Sequence, residues 1–196
     1  MLGKTIDLNK SSFVNRWLLS ASTLTLSFLF PGLLLVSPAL AIRLSNGQIT
    51  FNNPPRLVRS ATSSSSSNNR YATYQFTISV PKDAGEPLEA VSIVQRPNVE
   101  TIAFDESQQT AFKGNSFAGG TALHLASIGG TLPSPSNKQT VVFDPPIAPG
   151  STVTVEIVSK GNPQLGGVYL FGVTAYPAGE NGIGQFLGYG RLHFYK

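Results

Sequence analysis

The sequence predicts an all-β fold, an antiparallel β-sandwich of about nine strands. Three observations predict it. Apolar and polar residues alternate with period two in several stretches. Nineteen glycines and 14 prolines punctuate those stretches, as tight turns between strands require. After residue 41 no segment of helix length repeats its apolar residues at the helical period. Cysteine is absent, so the fold rests on its core and on backbone pairing, without disulfides, thiolate metal ligands or thiol nucleophiles.

The chain opens on an address. Lys4, Lys10 and Arg16 form a positive segment, Trp17–Val36 is an apolar run, and Ser37-Pro38-Ala39-Leu40-Ala41 ends in a small-x-small triplet. That order predicts a secretory signal peptide over 1–41, cleaved after Ala41. The run is long enough to span a bilayer, but Ser20, Ser22, Thr23, Thr25 and Ser27 dilute it and Pro31-Gly32 breaks it. Cleavage is therefore expected over retention as an anchor. The expected mature protein is one domain over 42–196, with no membrane span, located in the periplasm, a thylakoid lumen or outside the cell.

The strands are expected in this order. Gln48–Phe51 is a short first strand ended by Asn52-Asn53-Pro54-Pro55. Residues 60–70, with serines at every position from Ser63 to Ser67, read as a flexible loop. Tyr71–Val80 alternates, with Tyr74, Phe76, Ile78 and Val80 on the core side. Ala90–Val94 and Thr101–Phe104 follow, after a turn at 83–87 with room for one helical turn. Ala111-Phe112 and Ala122–Ala126 are shorter, and Gly129–Asn137 is a loop. Gln139–Phe143 precedes a proline-stiffened turn, Asp144–Gly150. Ser151–Val158 places Val153, Val155 and Ile157 inward. Val168–Tyr176 and Phe186–Tyr195 close the chain as long aromatic strands.

One detail sharpens the fold. Tyr169 stands near a strand start, two residues before Phe171. Immunoglobulin-like sandwiches place a corner tyrosine at this spacing, its hydroxyl bonded back to an upstream backbone group. Phe171 would then stand where antibody domains have cysteine.

The strings YQFTISVP (74–81), DAGEPL (83–88), FDPPIAPGSTVT (143–154), GGVYLFGVTAYPAGE (166–180) and GQFLGYGRLHFY (184–195) resemble, in order, the cyanobacterial exported family called domain of unknown function 2808. The resemblance implies export from a cyanobacterial cytosol and a β-rich domain. It implies no activity and no catalytic residue. A looser likeness, to the end of small periplasmic copper-carrier sandwiches, fails at the ligands. Those proteins use histidine at the mature N-terminus and in a late turn, where this chain has Ile42, Arg43 and Asn162.

The chemistry is sparse. The net charge of +4 is carried by scattered bases with no run and no aromatic interleaving, so nucleic acid is not the expected partner. His124 and His193 each stand alone between apolar neighbours, which offers no metal-ligand spacing and no cofactor site. Gly114-Asn115-Ser116-Phe117-Ala118 lacks the final glycine of a nucleophile elbow. Asp105 and Glu106 are adjacent and point to opposite faces of a strand. Gly182, Gly184, Gly188 and Gly190 do not form a dinucleotide fingerprint. Gly188 and Gly190 instead predict a bulge or a close approach of another chain.

The remaining signal is aromatic. Tyr189, Arg191, His193 and Tyr195 share one face of the last strand with Leu187, while Phe186, Leu192 and Phe194 are expected in the core. Such a face contacts a protein or a glycan. The expectation is a non-enzymatic envelope module that uses those four residues. The alternatives are a periplasmic hydrolase with His124 or His193 as base, and a weak metal or calcium binder.

Overall fold

The computed structural model describes residues 42–43, 47–126 and 135–196. The signal segment 1–41 and most of the expected 129–137 loop lie outside the described residues. Among those described there is no helix, so the turn at 83–87 leads straight into a strand. The strands are β1 (Ile42–Arg43), β2 (Ile49–Thr50), β3 (Arg56–Thr62), β4 (Thr73–Ser79), β5 (Leu88–Gln95), β6 (Phe104–Lys113), β7 (Thr121–Ala122), β8 (Lys138–Ile147), β9 (Thr152–Ser159), β10 (Gly167–Pro177) and β11 (Gln185–Phe194).

Nine of them form two packed antiparallel sheets, ordered β3-β4-β9-β6-β7 and β11-β10-β5-β8, and β1 pairs with β2 apart from both. Take β3, β4, β5, β6, β9, β10 and β11 in chain order as A to G. The sheets then read A-B-E-D and G-F-C, the immunoglobulin arrangement, with β8 added beside C. The corner is present. Tyr169, at the start of β10, donates its hydroxyl to the Leu165 carbonyl at 3.1 Å, and Phe171 is fully buried two residues on.

Alternation builds the core. Tyr74, Phe76 and Ile78 of β4, Val153, Val155 and Ile157 of β9, and Tyr169, Phe171 and Val173 of β10 are all buried. Aromatic rings stitch the two layers at centroid distances of 5.6 Å (Tyr74–Phe171) and 5.8 Å (Phe76–Phe171), and Tyr169–Phe194 pack at 5.5 Å within one layer. Such edge-on pairs add about 1 kcal/mol each beyond the area they bury.

The two seams between the sheets are laced. On one side Ser60 Oγ accepts from the Arg191 amide at 3.0 Å and donates to the Arg191 carbonyl at 3.2 Å, joining β3 to β11. The serine segment continues this seam. Ser60–Thr62 belong to β3, not to a loop, and beyond them Tyr195 bonds through its backbone to Ser65 and Ser67. Asn162 anchors the segment. Its Nδ2 donates to the Ser64 and Ser66 carbonyls at 3.0 and 2.8 Å, and its Oδ1 accepts from the buried Tyr74 hydroxyl at 2.8 Å. On the other side the chain leaving β7 crosses to β8. Leu125 pairs with Phe143, and the Asp144 amide donates to the His124 carbonyl at 3.0 Å.

Other boundaries differ for physical reasons. β8 runs on through Pro145 and Pro146 to Ile147, where a turn was expected. An edge strand tolerates residues that lack an amide donor. β6 replaces the short segments expected at 101–104 and 111–112, and its register slips between Asp105 and Gln109. Asp105 Oδ1 takes the Ser107 amide (3.1 Å) and hydroxyl (2.7 Å) within that slip, so this carboxylate serves its own bulge.

Candidate functional site

The site follows from what covers each outward face. The outer face of the five-stranded sheet is polar and roofed by its own loop. Gln75, Thr77 and Thr154 point outward yet are buried. Gln75 Nε2 donates to Glu156 Oε1 at 2.6 Å and to the Phe117 carbonyl at 3.0 Å, and the Thr154 hydroxyl donates to the Gly114 carbonyl at 2.9 Å. Arg59 lies 5.8 Å from the Phe117 ring centre and donates to Gln75 and Thr77. Arg59 and Glu156 thus both have internal partners.

The outer face of the β11-β10-β5-β8 sheet has no such roof among the described residues. Tyr189, Arg191 and His193 stand exposed at alternate positions of β11, as the sequence predicts. Tyr195 is exposed too but falls past the strand end, beside the serine segment rather than β10.

Phe186 corrects the sequence reading. It is 57 % exposed on the outer face, not in the core. The register of β10 against β11 passes from Val173–Gly188 to Thr174–Phe186, so one residue of β11 is extra. Leu187 is the residue without a partner, and Gly188 beside it takes φ +119°, a conformation open to glycine. The bulge inverts the alternation. Leu187 packs against the core, and Phe186 turns out to meet Tyr189 edge-on at 5.0 Å. Both rings lie over Gly172, where a side chain would begin 3.2 Å from Phe186 and 3.5 Å from Tyr189.

Register adds residues that sequence spacing on one strand does not reveal. Tyr189, Gly172, Val94 and Lys138 form one row across four strands. Arg96 Nη1 donates to the Tyr189 hydroxyl at 3.2 Å, and its guanidinium sits 5.4 Å from that ring centre, a cation–π contact. Val94 and Val168 are also exposed on this face.

His124, a candidate base, lines a separate cleft of about 200 Å³ with Lys113, Asp144, Pro145 and Ser151. No side-chain hydrogen bond joins any two of these among the described residues, and triad chemistry needs a nucleophile and base in such contact. Among the described residues no group of three His, Cys, Asp or Glu side chains is placed to hold a metal ion. The perturbed tyrosines are structural. Burial pushes the Tyr74 phenol well above the ordinary tyrosine value, with Ser159 opposing in part. Burial and then the Glu100 charge raise Tyr169.

Residues 48–194 match the family described as protein of unknown function (DUF2808). The chain belongs to that family. The DUF2808 match spans every strand of the two packed sheets. No curated protein matches the chain. Among solved structures it is similar in fold to three others. The group B streptococcus pilus 2b backbone protein is 13 % identical over 66 % of this chain and 56 % of that one, with a TM-score of 0.41, so this chain spans just over half of that protein. An uncharacterised Nocardia farcinica protein with an immunoglobulin-like fold is 14 % identical over 70 % and 97 %, TM-score 0.37. The collagen-binding domain of a Staphylococcus aureus adhesin is 9 % identical over 65 % and 89 %, TM-score 0.35.

Proposed function

We propose that this DUF2808 protein is an exported, non-enzymatic contact module of the cyanobacterial cell envelope, which takes a protein or glycan partner on the outer face of its β11-β10-β5-β8 sheet. One observation carries the reading: this face leaves Phe186 and Tyr189 in solvent side by side next to Arg96, while on the opposite outer face a loop covers Gln75, Thr77 and Thr154. Exposed aromatic and arginine side chains supply most of the energy at contact surfaces. Export rests on the leader 1–41 and places the mature terminus at Ile42. The hydrolase reading keeps only the cleft at His124, which lacks an aligned nucleophile.

Two measurements test the proposal. Tyr189→Ala combined with Tyr195→Ala leaves the circular dichroism spectrum and melting temperature nearly unchanged and abolishes capture of a partner from native envelope extracts. Undiminished capture counts against the face. Terminal sequencing of protein from cells reads Ile42 first; an intact Met1 on cytosolic material overturns export.

A further inference from the structure

The contact face is electrically divided along its strands. At one end stand Arg96, Arg191, Lys138 and His193. At the other, Glu89 and Glu180 flank a shallow groove of about 310 Å³ lined by Tyr176, Pro177 and Val142. Arg191 is paired with Leu170 of β10, and the Arg96 amide donates to the Leu170 carbonyl at 2.8 Å. The two arginines therefore stand on either side of one β10 residue, about 10 Å apart at two strand spacings. Neither they nor Lys138 pairs with a carboxylate among the described residues. Arg96 has one side-chain hydrogen bond, to the Tyr189 hydroxyl, which leaves most of its five donors uncommitted.

Resting on the contact face proposed above, we infer that its basic end binds an acidic polysaccharide, a chain of uronic acid residues laid across the strands along Arg191–Leu170–Arg96. Each part of the surface matches one part of such a chain. A guanidinium fork takes a planar carboxylate through two parallel hydrogen bonds. The Phe186 ring, exposed and braced edge-on by Tyr189, leans over Gly172 on one side of that line and offers an apolar platform to the carbon-bound face of a sugar ring at its border. The end lies on the outer face of a sheet, which suits an extended polymer rather than an enclosed small molecule. Glu89 and Glu180 repel an anionic chain that turns along the strands, and so fix its direction.

Titration calorimetry of the full chain with polygalacturonate tests this, with dextran as neutral polymer and dextran sulfate and duplex DNA as general polyanions. The expected result is binding to polygalacturonate that weakens as salt rises, and none to dextran. Arg96→Gln with Arg191→Gln weakens it at least tenfold, as does Phe186→Ser. Lys82→Gln with Lys160→Gln removes the same charge outside this face and leaves it unchanged. Melting temperatures confirm that each variant folds. Three outcomes overturn the inference: no polygalacturonate binding, equal binding to dextran, or equal binding to DNA and dextran sulfate with the lysine pair as sensitive as the arginines. If polygalacturonate is ignored while Tyr189-dependent capture of an envelope partner persists, the contact module stands and only this ligand class is lost.

Discussion

Asn162 decides more than its position in a turn suggests. It is buried, and its side chain is spent on three partners: the Tyr74 hydroxyl and two serine carbonyls. Asn162→Ala strands the phenol and the Ser66 carbonyl, while the Ser64 carbonyl keeps the Thr62 hydroxyl, and a buried unpaired polar group costs about 1–3 kcal/mol. The expected loss is about 3 kcal/mol, read as a lowered urea midpoint at unchanged slope. A loss under 0.5 kcal/mol would show that the serine segment needs no anchor. Gly190 is as constrained for a different reason. A Cβ there would lie 2.7 Å from the buried Phe76 ring and 3.0 Å from Ser60. Gly190→Ala should cost about 1–3 kcal/mol as overpacking, by the same measurement. The close approach at this glycine comes from its own chain, at the seam between β3 and β11, and not from another chain.

Among elements, β4, β9 and β10 were legible because one buried face and one outward face imprint alternation on the sequence. β3 was not. It is an edge strand with no fully buried side chain, and its arginines and its run into the serines read as loop. β6 was hidden by its slip, which breaks the alternation at Asp105–Gln109. The candidate face shows the same limit. Tyr189, Arg191 and His193 follow from parity along one strand. Phe186 does not, because the Gly188 bulge reverses parity, and Arg96 and Lys138 join only through register with other strands. The bulge is itself testable. Gly188→Ala meets no neighbouring atom but holds φ at +119°, so it costs about 1 kcal/mol through backbone alone. The wild-type exposure of Phe186 should survive in it, checked by calorimetric unfolding and by structure determination.

For the whole molecule, the tyrosines set the alkaline limit. Tyr74 and Tyr169 both hold their protons more tightly when folded than when unfolded, where tyrosine titrates near 10. Below about pH 10 both states are protonated, and their contribution is complete. Above it the unfolded chain releases protons that the fold retains, so stability falls by about 1.4 kcal/mol per pH unit for each tyrosine, until its folded value is reached. Urea titrations at pH 8, 10 and 11 should give a flat first interval and a falling second. Tyr74→Phe should flatten part of that fall. A stability unchanged to pH 11 would contradict the burial of both phenols.

The laced seams carry a consequence for recognition. Ser60 holds β11 against β3, and Leu125 holds β8 against the chain leaving β7, so the borders of both layers already have company. Foreign strands gain purchase where a border offers a row of idle amides and carbonyls. Here Ser60 takes the Arg191 amide and carbonyl, and Leu125 lies along part of the β8 border, so a newcomer finds those stretches filled. Along those stretches a partner must be gripped by side chains and not by a lent backbone.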